Sequence, residues 1–159
     1  KWDKIEVSKG AAQITGYNSE IVNELGKLPS EVLDIFEKYL YNKEYLLVGS
    51  NLLGFDIYIH NLYRKCLGLK SDYSYLNRIY DTSALSKAYK LNIKKPDDIS
   101  LLEFQFKLCD LRQKGLKSSL QAMLKEFGIP YDPLKMHDAG EDVRKNIEMF
   151  YALIKVYDI

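Results

Sequence analysis

Long apolar runs are missing from this sequence. No stretch approaches the roughly 18 residues that a membrane-spanning helix needs, so no membrane partner is expected. Cysteine is scarce: Cys66 and Cys109 are the only two, too few for a disulfide framework. Both fall in apolar helical patterns and read as reduced core or boundary residues of a cytosolic protein. The opening Lys1-Trp2-Asp3-Lys4-Ile5-Glu6 has no apolar core and does not read as a signal peptide, which predicts cytoplasmic localisation. An excess of one charge is missing too. Lys plus Arg number 23 and Asp plus Glu number 22, so no global field draws the chain to nucleic acid. Any such binding must come from a local patch. The chain starts at Lys1 rather than Met and is read as a piece of something longer.

What is present is ordinary for a folded protein. Hydrophobic residues make up 47% and charged residues 28% of 159, which excludes disorder and fits one domain over 1–159. Residues 1–9 read as extended, with Ile5 and Val7 alternating against charge. A short helix or turn follows over 10–18, and a helical turn over 20–25. Ser30 is the expected cap of a helix to about Tyr41, with Val32, Ile35, Phe36 and Tyr39 as its inward stripe. The run Tyr45-Leu46-Leu47-Val48-Gly49 is too short for a helix and predicts a buried parallel strand. A helix over 55–66 would bury Ile59, Leu62, Tyr63 and Cys66. Residues 78–81 predict a second strand leading into a helix over 83–89. Ser100 opens a further helix with Leu101, Phe104, Leu108 and Leu111 on one face, closed by Gly115. Ser118 or Ser119 caps the next. The last helix runs from Asp138 towards Tyr157, with Val143, Ile147, Phe150 and Ile154 inward.

Strand, helix, strand, helices is an α/β pattern. It is short of strands, because two parallel strands cannot organise this many helices.

Two stretches could carry chemistry. In the first, His137 precedes a helix and Asp142 lies inside it. In one regular helix a separation of five would splay them by about 140°. With His137 on the preceding loop both can face one site, which suits a base beside a metal-bound water. Asp138 and Glu141 explain themselves as helix-start residues. The second stretch is Gly49-Ser50-Asn51-Leu52-Leu53-Gly54-Phe55-Asp56. Here a buried strand ends in a polar loop and an acid opens a helix, the place where open α/β sheets bind ligands. The plainer reading of Asp56 is an acid that complements the helix dipole. His60 follows Asp56 by four residues and could share a metal with it; a solvated histidine is the plainer reading. Asp97-Asp98 reads as a solvated turn.

In this order and at this distance the two stretches resemble the DEDDh-type 3′–5′ exonucleases, the superfamily of proofreading exonuclease subunits, RNase T and oligoribonuclease. Leu47-Val48-Gly49-Ser50-Asn51 with Phe55-Asp56 is similar to the second exonuclease motif. His137 and Asp142 match the third, a His and an Asp separated by four residues. Asp81-Thr82-Ser83-Ala84-Leu85 is similar to the family's strand-to-helix step, and Ser119-Leu120 through Gly128-Ile129 to the helix before the third motif. Ala11-Ala12-Gln13-Ile14-Thr15-Gly16-Tyr17 resembles the segment ahead of the second.

The resemblance implies an RNase H-like fold and a two-metal hydrolysis with Mg²⁺ or Mn²⁺ that releases nucleoside 5′-monophosphates. It implies Asp56 and Asp142 as metal ligands and His137 as general base, all three catalytic. It implies Ser50, Asn51 and Phe55 as substrate contacts. The implied partner is a single-stranded nucleic-acid 3′ end, DNA ahead of RNA, with a polymerase or a second copy of the chain as a further partner. The sequence departs from the family in two places. Ser50 stands where the family commonly has His. The Asp-x-Glu pair of the first strand is absent, because Asp3 and Glu6 are spaced wrongly for one strand face. The alternatives are a non-catalytic RNase H-like interaction module and a fragment that needs complementation by another chain. The segment 92–116 looks longer than the usual family connection and is read as shaping substrate or partner choice.

Overall fold

The computed structural model describes residues 6–134 and 138–157, apart from the side chains of Ile14 and Tyr157. Helices dominate: α1 (Lys9–Thr15), α2 (Ser19–Leu25), α3 (Pro29–Leu40), α4 (Ile57–Cys66), α5 (Thr82–Leu91), α6 (Leu101–Asp110), α7 (Leu120–Glu126) and α8 (Ala139–Tyr157). Two strands, β1 (Leu47–Gly49) and β2 (Ile79–Asp81), pair in parallel with Leu47 opposite Ile79 and Gly49 opposite Asp81. The expected α/β pattern with its shortage of strands is what the described residues show.

Local chemistry explains most boundaries. The Ser8 and Asn18 side chains accept backbone N–H bonds at the starts of α1 and α2, and Ser100 and Ser119 do so for α6 and α7. Ser30 is not a cap. Pro29 takes the first helical position of α3, where its missing N–H costs nothing, and the Glu31 carboxylate accepts from the Leu28 N–H at 3.2 Å. Helix α6 stops at Asp110 rather than near Gly115. There the Lys87 ammonium donates to the carbonyls of Leu108, Cys109 and Leu111 at 2.9, 3.0 and 3.3 Å, satisfying groups that a helix end leaves orphaned.

Helix α5 is the centre. It buries Thr82, Ala84, Leu85, Ser86 and Ala88. The small Ala84 and Ala88 receive Phe104 and Leu108 of α6. On another side Leu85 packs with Met123 and Leu124 of α7 and Met149, Phe150 and Leu153 of α8. A third cluster, Leu40, Leu53, Ile57, Tyr75 and Ile79, joins α3, α4 and β2.

Polar groups inside this core are paired. The Asp81 carboxylate is fully buried and accepts from the backbone N–H groups of Asn51, Leu53, Ser83 and Ala84 at 2.9, 3.0, 3.0 and 3.3 Å. It therefore caps α5 and holds the loop after β1 together. Gln105, also fully buried, accepts from Asp81 N at 2.6 Å and donates to Ile79 O at 3.0 Å. The side-chain amide thus takes the place of a third strand on the outer edge of β2. No described residue forms a ladder with the other edge of β1. Arg78 donates to the carbonyls of Leu40, Asn42 and Tyr45, fixing the chain between α3 and β1 to the start of β2.

Two expected inward stripes, those of α3 and α4, are turned the wrong way, and that of α8 is so in its first half only. Helix α3 buries Leu33 and Leu40, while Val32, Ile35, Phe36 and Tyr39 are exposed. Helix α4 buries Ile57 and His60; Ile59, Leu62 and Cys66 are exposed and Tyr63 is only half-buried. In α8 the expected Phe150 is buried and Ile154 packs against the same core, beside Asn146, Met149 and Leu153, whereas Val143 and Ile147 are exposed. The apolar stripes of α3 and α4 exist, but among the described residues they are only partly covered. Phe36 and Tyr39 face β1 across a cavity of about 300 Å³ instead of packing on it. The expected burial of Tyr45 and Leu46 fails on the same side, where both are exposed.

Replacing the Asp81 side chain strands four backbone donors, two of them at the root of the β1 loop. Asp81→Ala should cost about 3 kcal/mol or more in urea unfolding, against less than about 0.5 kcal/mol for the exposed Asp97→Ala. Equal midpoints for the two variants would contradict this account of the core.

Candidate functional site

The chain leaves β1 at Gly49 and turns sharply. Asn51 takes a left-handed conformation with φ 62°, and its backbone N–H is held by Asp81. A π-helical turn over Leu52–Asp56 follows and runs directly into α4. A Cβ at Gly54 would lie 2.3 Å from the Asn51 side-chain oxygen, so a larger residue there obliges the Asn51 side chain to turn away. The wide turn delivers Asp56 to the carboxyl end of β1. A second tie fixes the same corner. The Thr82 hydroxyl lies 2.6 Å from Asn146 Oδ1 and 3.2 Å from the Gly49 carbonyl, linking β1, α5 and α8 in one buried chain.

These ties create a cleft of about 670 Å³ whose lining includes Ser50, Asp56, Ser119, Asp142 and Asn146. The structure therefore brings Ser50, Asp56 and Asp142 together. It leaves Asn51 and Phe55 outside the lining; both are exposed. His137 lies outside the described residues. Asp142 sits half-buried in the first turn of α8, its N–H donating to Asp138 O at 2.9 Å. Asp138 and Glu141 are occupied as expected at a helix start. The Asp138 carboxylate accepts from Glu141 N at 2.9 Å, and Glu141 pairs with Arg144.

Asp56 is exposed, yet it stands at the junction of three cavities. Removal of water by the surrounding walls raises its carboxyl above the usual value, and the negative charge of Asp81 adds to the rise. The site thus favours a proton, or another cation, on Asp56.

His60 is buried, not solvated, and does not share a ligand with Asp56. Its Nε2 lies 2.8 Å from Glu37 Oε1 and its Nδ1 3.0 Å from the Tyr75 hydroxyl. A carboxylate only accepts, so Nε2 donates to Glu37, while Nδ1 pairs with the Tyr75 hydroxyl. Burial pushes the Tyr75 phenol up to about 12, which keeps it a donor. Both ring nitrogens are used, and Arg64 completes the cluster on Glu37. Thiolate chemistry at Cys109 is disfavoured as well. Burial, with Asp81 nearby, raises the Cys109 thiol to about 11, leaving little thiolate at neutral pH.

Among the described residues no three His, Cys, Asp or Glu side chains converge to hold a metal. Asp56 and Asp142 are the two carboxylates that line the cleft. Sequence reasoning missed Asn146, and it missed the structural role of Asp81. The signal for Asp81 was available: an Asp at the end of a short strand, directly before a helix, is a capping pattern. No family model, no curated protein and no solved structure matches the chain.

The raised carboxyl of Asp56 sets a sign. A folded-state value above the ordinary 3.8 means that ionised Asp56 opposes folding at neutral pH, and that the penalty disappears once both states are protonated. In metal-free buffer Asp56→Asn should therefore raise the melting temperature at pH 7. The gain should fade as pH falls through the raised value towards 3.8. An equal shift at pH 7 and pH 3.5 would contradict this.

Proposed function

We propose that this chain is the larger part of a metal-dependent 3′–5′ exonuclease domain of RNase H-like architecture. The observation that carries the reading is the meeting of Asp56 and Asp142 in one cleft at the carboxyl end of β1, although they arrive from distant parts of the sequence. Cleaving a phosphodiester needs the charge on the attacking and leaving oxygens neutralised, and a base that works near neutral pH. Asp56 and Asp142 supply half of the acidic ligand set in this reading, and His137, one residue before Asp138, is the base.

The other half is an Asp-x-Glu pair on a strand that these 159 residues do not contain. The unpaired edge of β1, the partly covered stripe of α3 and the exposed first half of that of α8 support an additional strand at that place. Divalent cations, held by all four acids, supply the charge neutralisation when bound. Ser50 lines the cleft, and with the exposed Asn51 and Phe55 beside it contacts the terminal nucleotide. The same uncovered surface supports the second reading, a fragment completed by another chain.

The 159-residue chain should bind Mn²⁺ weakly, because two carboxylates hold such an ion poorly without further ligands. A tight two-site isotherm in calorimetry would refute the incomplete-ligand account. A chain extended upstream through an Asp-x-Glu strand should degrade single-stranded 3′ ends with Mg²⁺ and lose that activity in His137→Ala and Asp142→Asn. An inert extended chain overturns the exonuclease reading and leaves the interaction module.

A further inference from the structure

The sequence as a whole has no charge excess, but its cations are unevenly placed. Between Leu111 and Lys125 there are four, Arg112, Lys114, Lys117 and Lys125, and no Asp or Glu. The fold turns part of this stretch into a surface. A groove of about 510 Å³ is lined by Lys90, Lys117, Ser119, Gln121, Lys125 and Glu126. Lys90 and Glu126 neutralise each other at 2.5 Å. Lys117 and Lys125 are exposed, and neither forms an ion pair with a described residue.

The groove is continuous with the carboxylate cleft. Ser119 and Gln121 line both. One side of that boundary therefore presents Asp56 and Asp142, and the other presents two free ammonium groups. Such a polarity has a use. A phosphate chain approaching two carboxylates is repelled, and cations beside the cleft offset that repulsion and fix the direction of approach. Exposed lysines on flexible stems suit a succession of phosphates better than one small anion, since they hold point charges without a fixed geometry. The exposed Gln121 amide adds a neutral donor at the crossing.

We propose that the Lys117–Lys125 groove is the track for the phosphate backbone of a single-stranded polynucleotide whose 3′ end lies in the Asp56–Asp142 cleft. The choice of ligand rests on the exonuclease reading; the charge asymmetry stands without it. Only backbone phosphates are engaged, so binding is indifferent to base sequence.

The test is fluorescence anisotropy of a labelled oligothymidylate with the 159-residue chain in EDTA, where nothing can be cleaved, across a range of salt. Two lysines neutralising two phosphates contribute about 1.4 to the slope of log affinity against log salt for a single strand. Lys117→Gln with Lys125→Gln should lower the slope by about that amount and weaken binding on the order of tenfold at 0.1 M salt. Lys38→Gln with Lys107→Gln, on α3 and α6, should change neither. Both pairs are exposed, and circular dichroism checks that each variant folds. No binding by the wild-type chain, an unchanged slope in the groove variant, or an equal loss in the control pair each overturns the proposal. Failure of the two readings is separable. Groove-dependent binding with an inert extended chain sinks the exonuclease and keeps the track. Hydrolysis unaffected by the groove variant, together with an unchanged slope, sinks the track and keeps the exonuclease.

Discussion

One buried carboxylate organises this molecule. Asp81 accepts four backbone N–H groups, from the loop after β1 and from the start of α5, and its own N–H is held by Gln105. A buried charge is tolerable only when it is hydrogen-bonded on all sides, and here the partners come from two neighbouring elements. Everything at the carboxyl end of the sheet depends on it. It keeps Asn51 in its left-handed turn, and that turn starts the π-helical step that presents Asp56. The charge that stabilises the corner also acts on Asp56 and Cys109, favouring the proton on both. Scaffold and site chemistry are set by the same group.

Much of this was legible beforehand. Both strands, their parallel pairing through intervening helices, and most helix starts follow from apolar runs and capping residues. The pairing of the loop at 49–56 with the start of the last helix was legible as well, and Asp56 and Asp142 do meet in one cleft. The capping part of the Asp81 role is legible from its place before α5, and its tie to the loop after β1 is not. A sequence shows that an acid precedes a helix but not how many other donors converge on it. Gln105 and Asn146 were missed for a related reason, since a buried amide in a helix carries no periodic signal.

The stripes of α3 and α4, and the first half of that of α8, failed in a more informative way. Periodicity reports where apolar residues align, not whether anything lies against them. Phe36, Tyr39 and Val143 line cavities beside β1 rather than packing in the core. A lone polar histidine reads as solvated, yet Glu37 and Tyr75 on other segments pair with both nitrogens of His60. In each case the deciding partner is remote in sequence.

Gln105 has a consequence for assembly. By occupying the outer edge of β2 it leaves the sheet, among the described residues, with one edge that can pair. A sheet with two free ends can add copies indefinitely and form a fibre. A sheet with one free end cannot. If two copies join edge to edge at β1, both ends are consumed and growth terminates at a pair. A single side-chain amide on α6 thus blocks strand addition at β2 and directs any edge-to-edge pairing of the described sheet to β1.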